Sequence, residues 1–231
     1  MGIFRTEVIT LAPDIWPVLL GSDSGLVGRA FADKTLDLHV RDLRDYGKGV
    51  HKKVDDAPFG GGAGMVLMVE PLHRAVTDAR ASTPGPVILL DPRGAPFTQK
   101  KAKSLSQGPG MTLICGRYEG VDQRIFSHVD EVLCVGDFVL SAGDPAAWCV
   151  VDAVCRLQEG VLGNRASLQE ESFQENLLEY PQFTRPETYE GMPVPEVLRS
   201  GDHGAIEAWR QEQRRKLTHR CRPDLIEEKK S

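Results

Sequence analysis

The sequence predicts an α/β protein with a mostly parallel sheet, followed by a small α-helical C-terminal unit. Three observations lead there: five short apolar runs bounded by turn residues, helix-spaced apolar residues between them, and a change of character after Gly160. Alternation of strand and helix favours parallel pairing, because a crossover helix returns the chain to the same end of the sheet.

The runs Ile3 to Leu11, Leu36 to Leu43, Val87 to Asp91, Met111 to Cys115 and Glu131 to Val135 read as strands. Spacings of three and four predict helices through Leu72, Ala75, Val76 and Ala79, through Ala102 and Leu105, and through Val121, Ile125 and Val129. Ala146 to Leu157 is apolar on most sides, which predicts a helix buried at an interface, a subunit contact being one way to bury it. Residues 161 to 190 hold six acidic and two basic residues, with Gly163, Asn164, Pro181 and Pro186 breaking periodicity, and read as linker-like. From Val194 a helical unit is expected, with Ala205, Ile206, Trp209 and Leu217 on one side and Arg210, Arg214, Arg215 and Lys216 on the other, then Arg220 and Arg222. The expected division is a first domain over 1–160, a linker over 161–175 and a helical domain over 176–231.

Composition narrows the function. Of 231 residues, 41% are hydrophobic and 26% charged, which excludes disordered and fibrous classes; no run of about 18 apolar residues predicts a membrane span. A net charge of −5 excludes a uniformly basic nucleic-acid coat but not a local patch, and 210 to 222 is such a patch, opposed only by Glu212. Cys115, Cys134, Cys149, Cys155 and Cys221 include no C-x-x-C pair, so neither a disulfide framework nor a zinc finger is expected, and a reducing cytoplasm is the expected setting. Arg5, Glu7 and Asp14 interrupt the first apolar stretch, unlike a signal peptide; MGIFRT fits a loose myristoylation pattern, but Ile3 onward reads as a strand.

Four loops are candidates for chemistry. Val54 to Met65 places four glycines in five positions, read either as a mobile surface loop or as a close approach to a ligand. It matches neither dinucleotide nor P-loop spacing, although Lys48, His51, Lys52 and Lys53 beside it favour a phosphate-bearing substrate. LDPRG at 90–94, CGRYEG at 115–120 and VGDFVLSAGD at 135–144 each follow a strand. Ligands sit at the carboxyl ends of parallel strands, so the three predict one pocket, with apolar walls from Phe138, Val139 and Leu140 suited to an aromatic base bearing polar groups. Arg156 reads as a helix C-terminal cation, and Glu170 with Glu171 as a solvated acidic pair.

Taken together, DAPFGGGAGMVLMVEPL at 56–72, LDPRG, CGRYEGVDQR at 115–124, VGDFVLSAGD, GVLGNRAS at 160–167 and RPETYEGMPVPEVLRSGDH at 185–203 resemble the bacterial tRNA (guanine-N1)-methyltransferase family. The resemblance implies methyl transfer from S-adenosyl-L-methionine to N1 of the guanosine at tRNA position 37, just 3′ of the anticodon. It also implies a C-terminal trefoil knot in the catalytic domain (SPOUT-like), a homodimer with shared sites, the anticodon stem-loop as partner, and Mg²⁺ assistance for which the sequence identifies no ligands. By resemblance the methyl donor is held by Leu89, Leu90 and Pro92, by Gly116, Tyr118, Glu119 and Gly120, and by Val135, Gly136, Asp137, Phe138, Val139, Leu140 and Gly143. Arg156 is implied to stabilise the guanine, and Ser167, Arg210, Arg214 and Arg215 to contact tRNA. Where the family pattern has an aspartate before Ser-Phe as the general base, this chain has Glu171, one methylene longer, with Glu170 as the alternative.

Overall fold

The computed structural model describes residues 2–21, 25–163 and 171–226. The chain divides into two compact units, residues 1–163 and 164–231. In the first, β1 (Arg5–Thr10), α1 (Trp16–Leu19), α2 (Leu26–Ala32) and β2 (Asp37–Asp42) lead to a short hairpin of β3 (Asp55–Asp56) and β4 (Val66–Leu67). Then follow α3 (Val69–Ser82), β5 (Val87–Pro96), α4 (Gln99–Ser106), β6 (Gly110–Cys115), β7 (Glu131–Cys134) and α5 (Asp144–Cys155). The second unit holds β8 (Thr188–Tyr189), β9 (Met192–Pro193) and the long α6 (His203–Cys221).

All five expected strands form, and they make one parallel sheet in the order β2-β1-β6-β5-β7. Successive side chains of a strand point to opposite faces, and the core divides accordingly. Ile88 and Leu90 of β5 pack with Val8, Leu113 and Leu133 in one buried cluster, while Val87 and Leu89 pack with Ile9 and Ile114 in another. A strand apolar at every position is therefore covered on both sides, as a parallel sheet requires.

One helix expectation is corrected. The apolar spacing through Val121, Ile125 and Val129 yields only a tight 3₁₀ turn over Gln123–His128. Asp122 accepts from the amide of Arg124 to start it, and Val129 is already extended, leading into β7. As for α5, its own chain buries Ala146, Ala147, Val150, Val151, Val154 and Cys155 against the sheet, so intrachain packing accounts for most of its apolar surface. A subunit contact is not needed to explain that composition.

Glu7 is an unexpected buried charge in the middle of β1. Its carboxylate accepts from Thr83 Oγ1 at 2.6 Å, from Ser82 Oγ at 2.8 Å and from the Arg41 guanidinium. Burial pushes its pKa up, but the bonds from Thr83, Arg41 and Ser82 outweigh burial and hold it below the ordinary glutamate value of 4.5. A depressed folded-state pKa stabilises the fold above the unfolded value, and the contribution is lost as pH falls through the folded one. Glu7→Gln is therefore expected to destabilise the protein at neutral pH by on the order of 3 kcal/mol, because it leaves Arg41 without its buried partner. It should also flatten the acid limb below about pH 4.5, as read from urea midpoints across pH.

Candidate active site

The site is built where β6 and β7 end and where a bulge interrupts β5. Leu133 of β7 pairs first with Leu90 and then with Ala95, so Asp91 to Gly94 are looped out of β5. Gly94 allows this, since a Cβ there would lie 2.5 Å from the backbone of Leu133. Asp91 holds the bulge closed, accepting from Arg93 N at 2.9 Å and from Arg93 Nε at 2.8 Å. The Arg93 side-chain bond leads the effects that hold the Asp91 carboxyl below its usual range. Arg93 also donates to Gln123 Oε1 at 2.8 Å and stands 4.3 Å over the Phe126 ring.

After β6 the CGRYEG loop turns sharply, with Tyr118 at φ 61° and Gly120 at φ 123°. It is tied to the glycine-rich loop, because Glu119 N donates to Met65 O and Leu67 N donates to Gly120 O, each at 3.0 Å. A Cβ on Gly64 would fall 2.4 Å from Glu119 Cγ, so that glycine makes room for the carboxylate side chain. The lysines beside the glycine-rich loop do not form an open cationic edge: Lys48 pairs with Glu70, Lys52 with Asp45 and Lys53 with Asp56. Each of these lysines is partnered by a nearby carboxylate in a solvent-exposed pair, and such pairs contribute little.

The third loop, 135–143, passes close over the second. Gly143 N donates to Gly116 O at 2.7 Å, and a Cβ on Gly143 would sit 2.7 Å from Gly116 N. The three loops enclose a cavity of about 280 Å³. Its wall includes Leu90, Pro92, Gly116, Tyr118, Glu119, Gly120, Val135, Gly136, Phe138, Val139, Leu140 and Gly143. Of the residues assigned to the methyl donor by resemblance, Leu89 and Asp137 do not line it. The Leu89 side chain belongs to the opposite face of the sheet, one position out of phase with Leu90, and Asp137 is exposed. The rim is apolar, with Phe138 57% and Val139 95% exposed.

Sequence reasoning missed a buried carboxylate behind the wall. Asp144 at the first turn of α5 is 1% exposed; its Oδ1 accepts from Thr10 Oγ1 at 2.5 Å and from Trp16 Nε1 at 3.1 Å. Its Oδ2 lies 3.7 Å from Nη2 of Arg117, a wall residue of the cavity. Burial, reinforced by Asp144, pushes the adjacent Cys115 thiol well above the ordinary cysteine range. The available signal was an acidic residue where the pocket loop becomes a helix, which reads equally well as a routine first-turn charge.

Of the other expected site residues in the first unit, Arg156 is not among those that line the cavity. Arg156 is the half-buried C-terminal cap of α5, its amide donating to Asp152 O at 3.1 Å. Glu171 is half-buried at the start of an irregular turn in the second unit. Ser167 and Glu170 lie outside the described residues. Arg215 is exposed on α6, and Arg210 stands 4.7 Å over the Tyr180 ring. Arg214 departs from the expected solvent-facing stripe: it is 3% exposed, its guanidinium bound to backbone carbonyls.

A parallel α/β sheet with a pocket walled by three loops on one side of it is an architecture common to α/β enzymes that act on small molecules. Residues 4–228 match the family model for tRNA (Guanine-1)-methyltransferase TrmD. A tRNA (guanine-N(1)-)-methyltransferase of Ruegeria pomeroyi is 48% identical over 228 residues, covering 97% of this chain and 93% of the relative. Those of Clostridium beijerinckii and Myxococcus xanthus are 45% and 48% identical, with 96% of this chain covered in each case and 91% and 90% of the relatives. The chain belongs to the tRNA (guanine-N1)-methyltransferase family, and it is an enzyme that methylates tRNA guanine at N1. The resemblance read from the motifs is borne out at that level. Among the described residues, no helix is long and apolar enough to cross a membrane.

Proposed function

We propose that the cavity formed by the β5 bulge and the ends of β6 and β7 holds S-adenosyl-L-methionine and that the methyl group goes to N1 of the guanosine at position 37, next to the anticodon. The observation that carries this reading is the convergence of three separate loops on one cavity. Nearly all the residues assigned to the donor by resemblance line its wall, Leu89 and Asp137 excepted. The donor fits the lining: glycine turns offer backbone groups to polar edges, while Val135, Phe138 and Leu140 suit an aromatic base. When bound, it supplies a methyl group activated by its sulfonium.

The remaining chemistry falls to the protein. N1 of neutral guanine carries a proton and is a poor nucleophile, so a carboxylate must accept that proton as the methyl group arrives, and Glu171 is the proposed base. Arg156 donates to guanine O6 as negative charge builds there. A stacked base hides N1, so the guanosine is turned out of the anticodon loop to reach the pocket. Arg215 and Arg220, exposed on α6, contact phosphates and set register without reading sequence. Among the described residues no group of three His, Cys, Asp or Glu is placed to hold a metal ion such as Mg²⁺.

A homodimer with shared sites and a knotted path complete the proposal. The exposed apolar rim at Phe138, Val139 and Leu140 supports a second subunit closing the pocket, and the tight passage of Gly143 over Gly116 supports a threaded segment. Five free thiols suit a cytoplasmic setting. The test compares transcripts carrying guanosine or adenosine at position 37. Methylation of the guanosine transcript alone is expected, and equal activity on both overturns the position and base assignment.

A further inference from the structure

One face of α6 is built from residues spaced by four, Arg210, Arg214 and Thr218, with Arg222 just past the helix end. In the second unit this face straps down the segment that follows Glu171. Arg214 Nη2 donates to Gln174 O at 3.1 Å and Nε to Leu178 O at 3.4 Å, while Nη1 lies 3.7 Å from the Glu175 carboxylate. Thr218, fully buried, accepts from Leu178 N at 2.8 Å and donates to Arg214 O at 2.7 Å. At the two ends, Arg210 covers the Tyr180 ring, and the Arg222 guanidinium lies 5.9 Å from the ring centre of Phe173.

The strapped segment does not hold a relaxed conformation. Phe173, Glu175 and Asn176 have φ of 73°, 54° and 59°, a region that disfavours residues with a Cβ. The segment also closes on itself: Phe173 N donates to Leu177 O at 2.7 Å, Glu179 N to Ser172 Oγ at 3.0 Å, and Gln174 N to Glu171 O at 3.4 Å. Three left-handed residues in four persist only where the surroundings over-determine them. Here Arg214 and Thr218 do so, by taking backbone groups at both ends of the turn. A guanidinium suits the task because its planar fork reaches two carbonyls at once, which an ammonium does not.

We infer that Arg214, with Thr218, is a positioning residue for the general base: it holds the turn from Glu171 to Leu178 in the conformation that presents the Glu171 carboxylate. On this reading α6 is the mount of the base as well as an RNA-facing helix. Arg214 then acts through Glu171, not through a phosphate contact. The inference rests on the proposal that Glu171 is the base.

The test uses the full-length chain with Arg214→Lys and Thr218→Val, each alone and combined with Glu171→Gln. It measures single-turnover methyl transfer at saturating tRNA and donor, together with tRNA affinity and its salt slope. In the parent background each variant is expected to slow transfer by roughly 10- to 100-fold, since a displacement of about 1 Å at the reacting group costs that order. Affinity should stay within about twofold, with an unchanged salt slope. Neither variant should slow transfer further in the Glu171→Gln background, whereas a merely structural defect would add to it. Full transfer rate in the single variants, weakened tRNA affinity with an unchanged saturated rate, or additive slowing each overturns the inference. If Arg214→Lys does not fold, Thr218→Val decides by the same outcomes, with Thr218→Ser, which keeps the hydroxyl, expected to restore the rate. A full rate in Glu171→Gln itself overturns the base assignment instead. A slow Glu171→Gln beside fast Arg214 and Thr218 variants overturns the positioning role alone.

Discussion

Glu171→Gln is expected to slow single-turnover methyl transfer by roughly 10²- to 10⁴-fold, with tRNA affinity within about twofold of the parent. The amide has nearly the same shape as the carboxylate but cannot accept the N1 proton, so the guanine stays a poor nucleophile. Glu170→Gln is expected to keep most of the rate. Measured side by side, the opposite pattern would move the base to Glu170. Glu171 begins a turn closed by its own hydrogen bonds and anchored on α6, and this fixes where the longer side chain starts. A fixed starting point is what allows one extra methylene to be accommodated at a reacting centre.

The second large effect is expected at Asp144. Asp144→Ala removes the acceptor of both the Trp16 indole N–H and the Thr10 hydroxyl in a fully buried setting. Unmade buried bonds cost about 1 to 3 kcal/mol each, so a loss of roughly 2 to 5 kcal/mol is expected in urea unfolding. The same change releases Arg117, and with it the 116–120 loop that walls the cavity. Calorimetric affinity for S-adenosyl-L-homocysteine, the demethylated donor, should fall by on the order of 10-fold or more, the effect of a misplaced binding loop. A stability loss below about 1 kcal/mol with unchanged affinity would show that the 116–120 wall of the pocket does not depend on this carboxylate. Asp144→Asn keeps an acceptor for Trp16 and Thr10 and should be milder in both measurements.

The strands were legible because their signals are local. Apolar runs such as Val87 to Leu90, covered on both faces of the sheet, stand out against the turn residues that follow them. The pocket was legible for a related reason: in a parallel sheet all strands run toward the same side, so the loops after β6 and β7 converge there with the bulge of β5. Legibility stopped where a side chain's partner is remote in sequence. Lys48, Lys52 and Lys53 read as a cationic edge until Glu70, Asp45 and Asp56 are seen to face them. Leu89 and Leu90 read alike, and only the register of β5 against β6 and β7 turns one away from the cavity and the other toward it.

The sequence by itself determined the α/β class, the five strands, the three strand-end loops and, through their motifs, the methyltransferase family. Each depends on residues within a turn or a strand of one another, where spacing and turn chemistry suffice. Only the tertiary structure decided which charges do work inside the protein. Glu7 meets Thr83 across 76 positions, Asp144 meets Thr10 across 134, and Arg214 meets Gln174 across 40. A buried charge is defined by the partners that offset its desolvation, and those partners are brought together only by the fold.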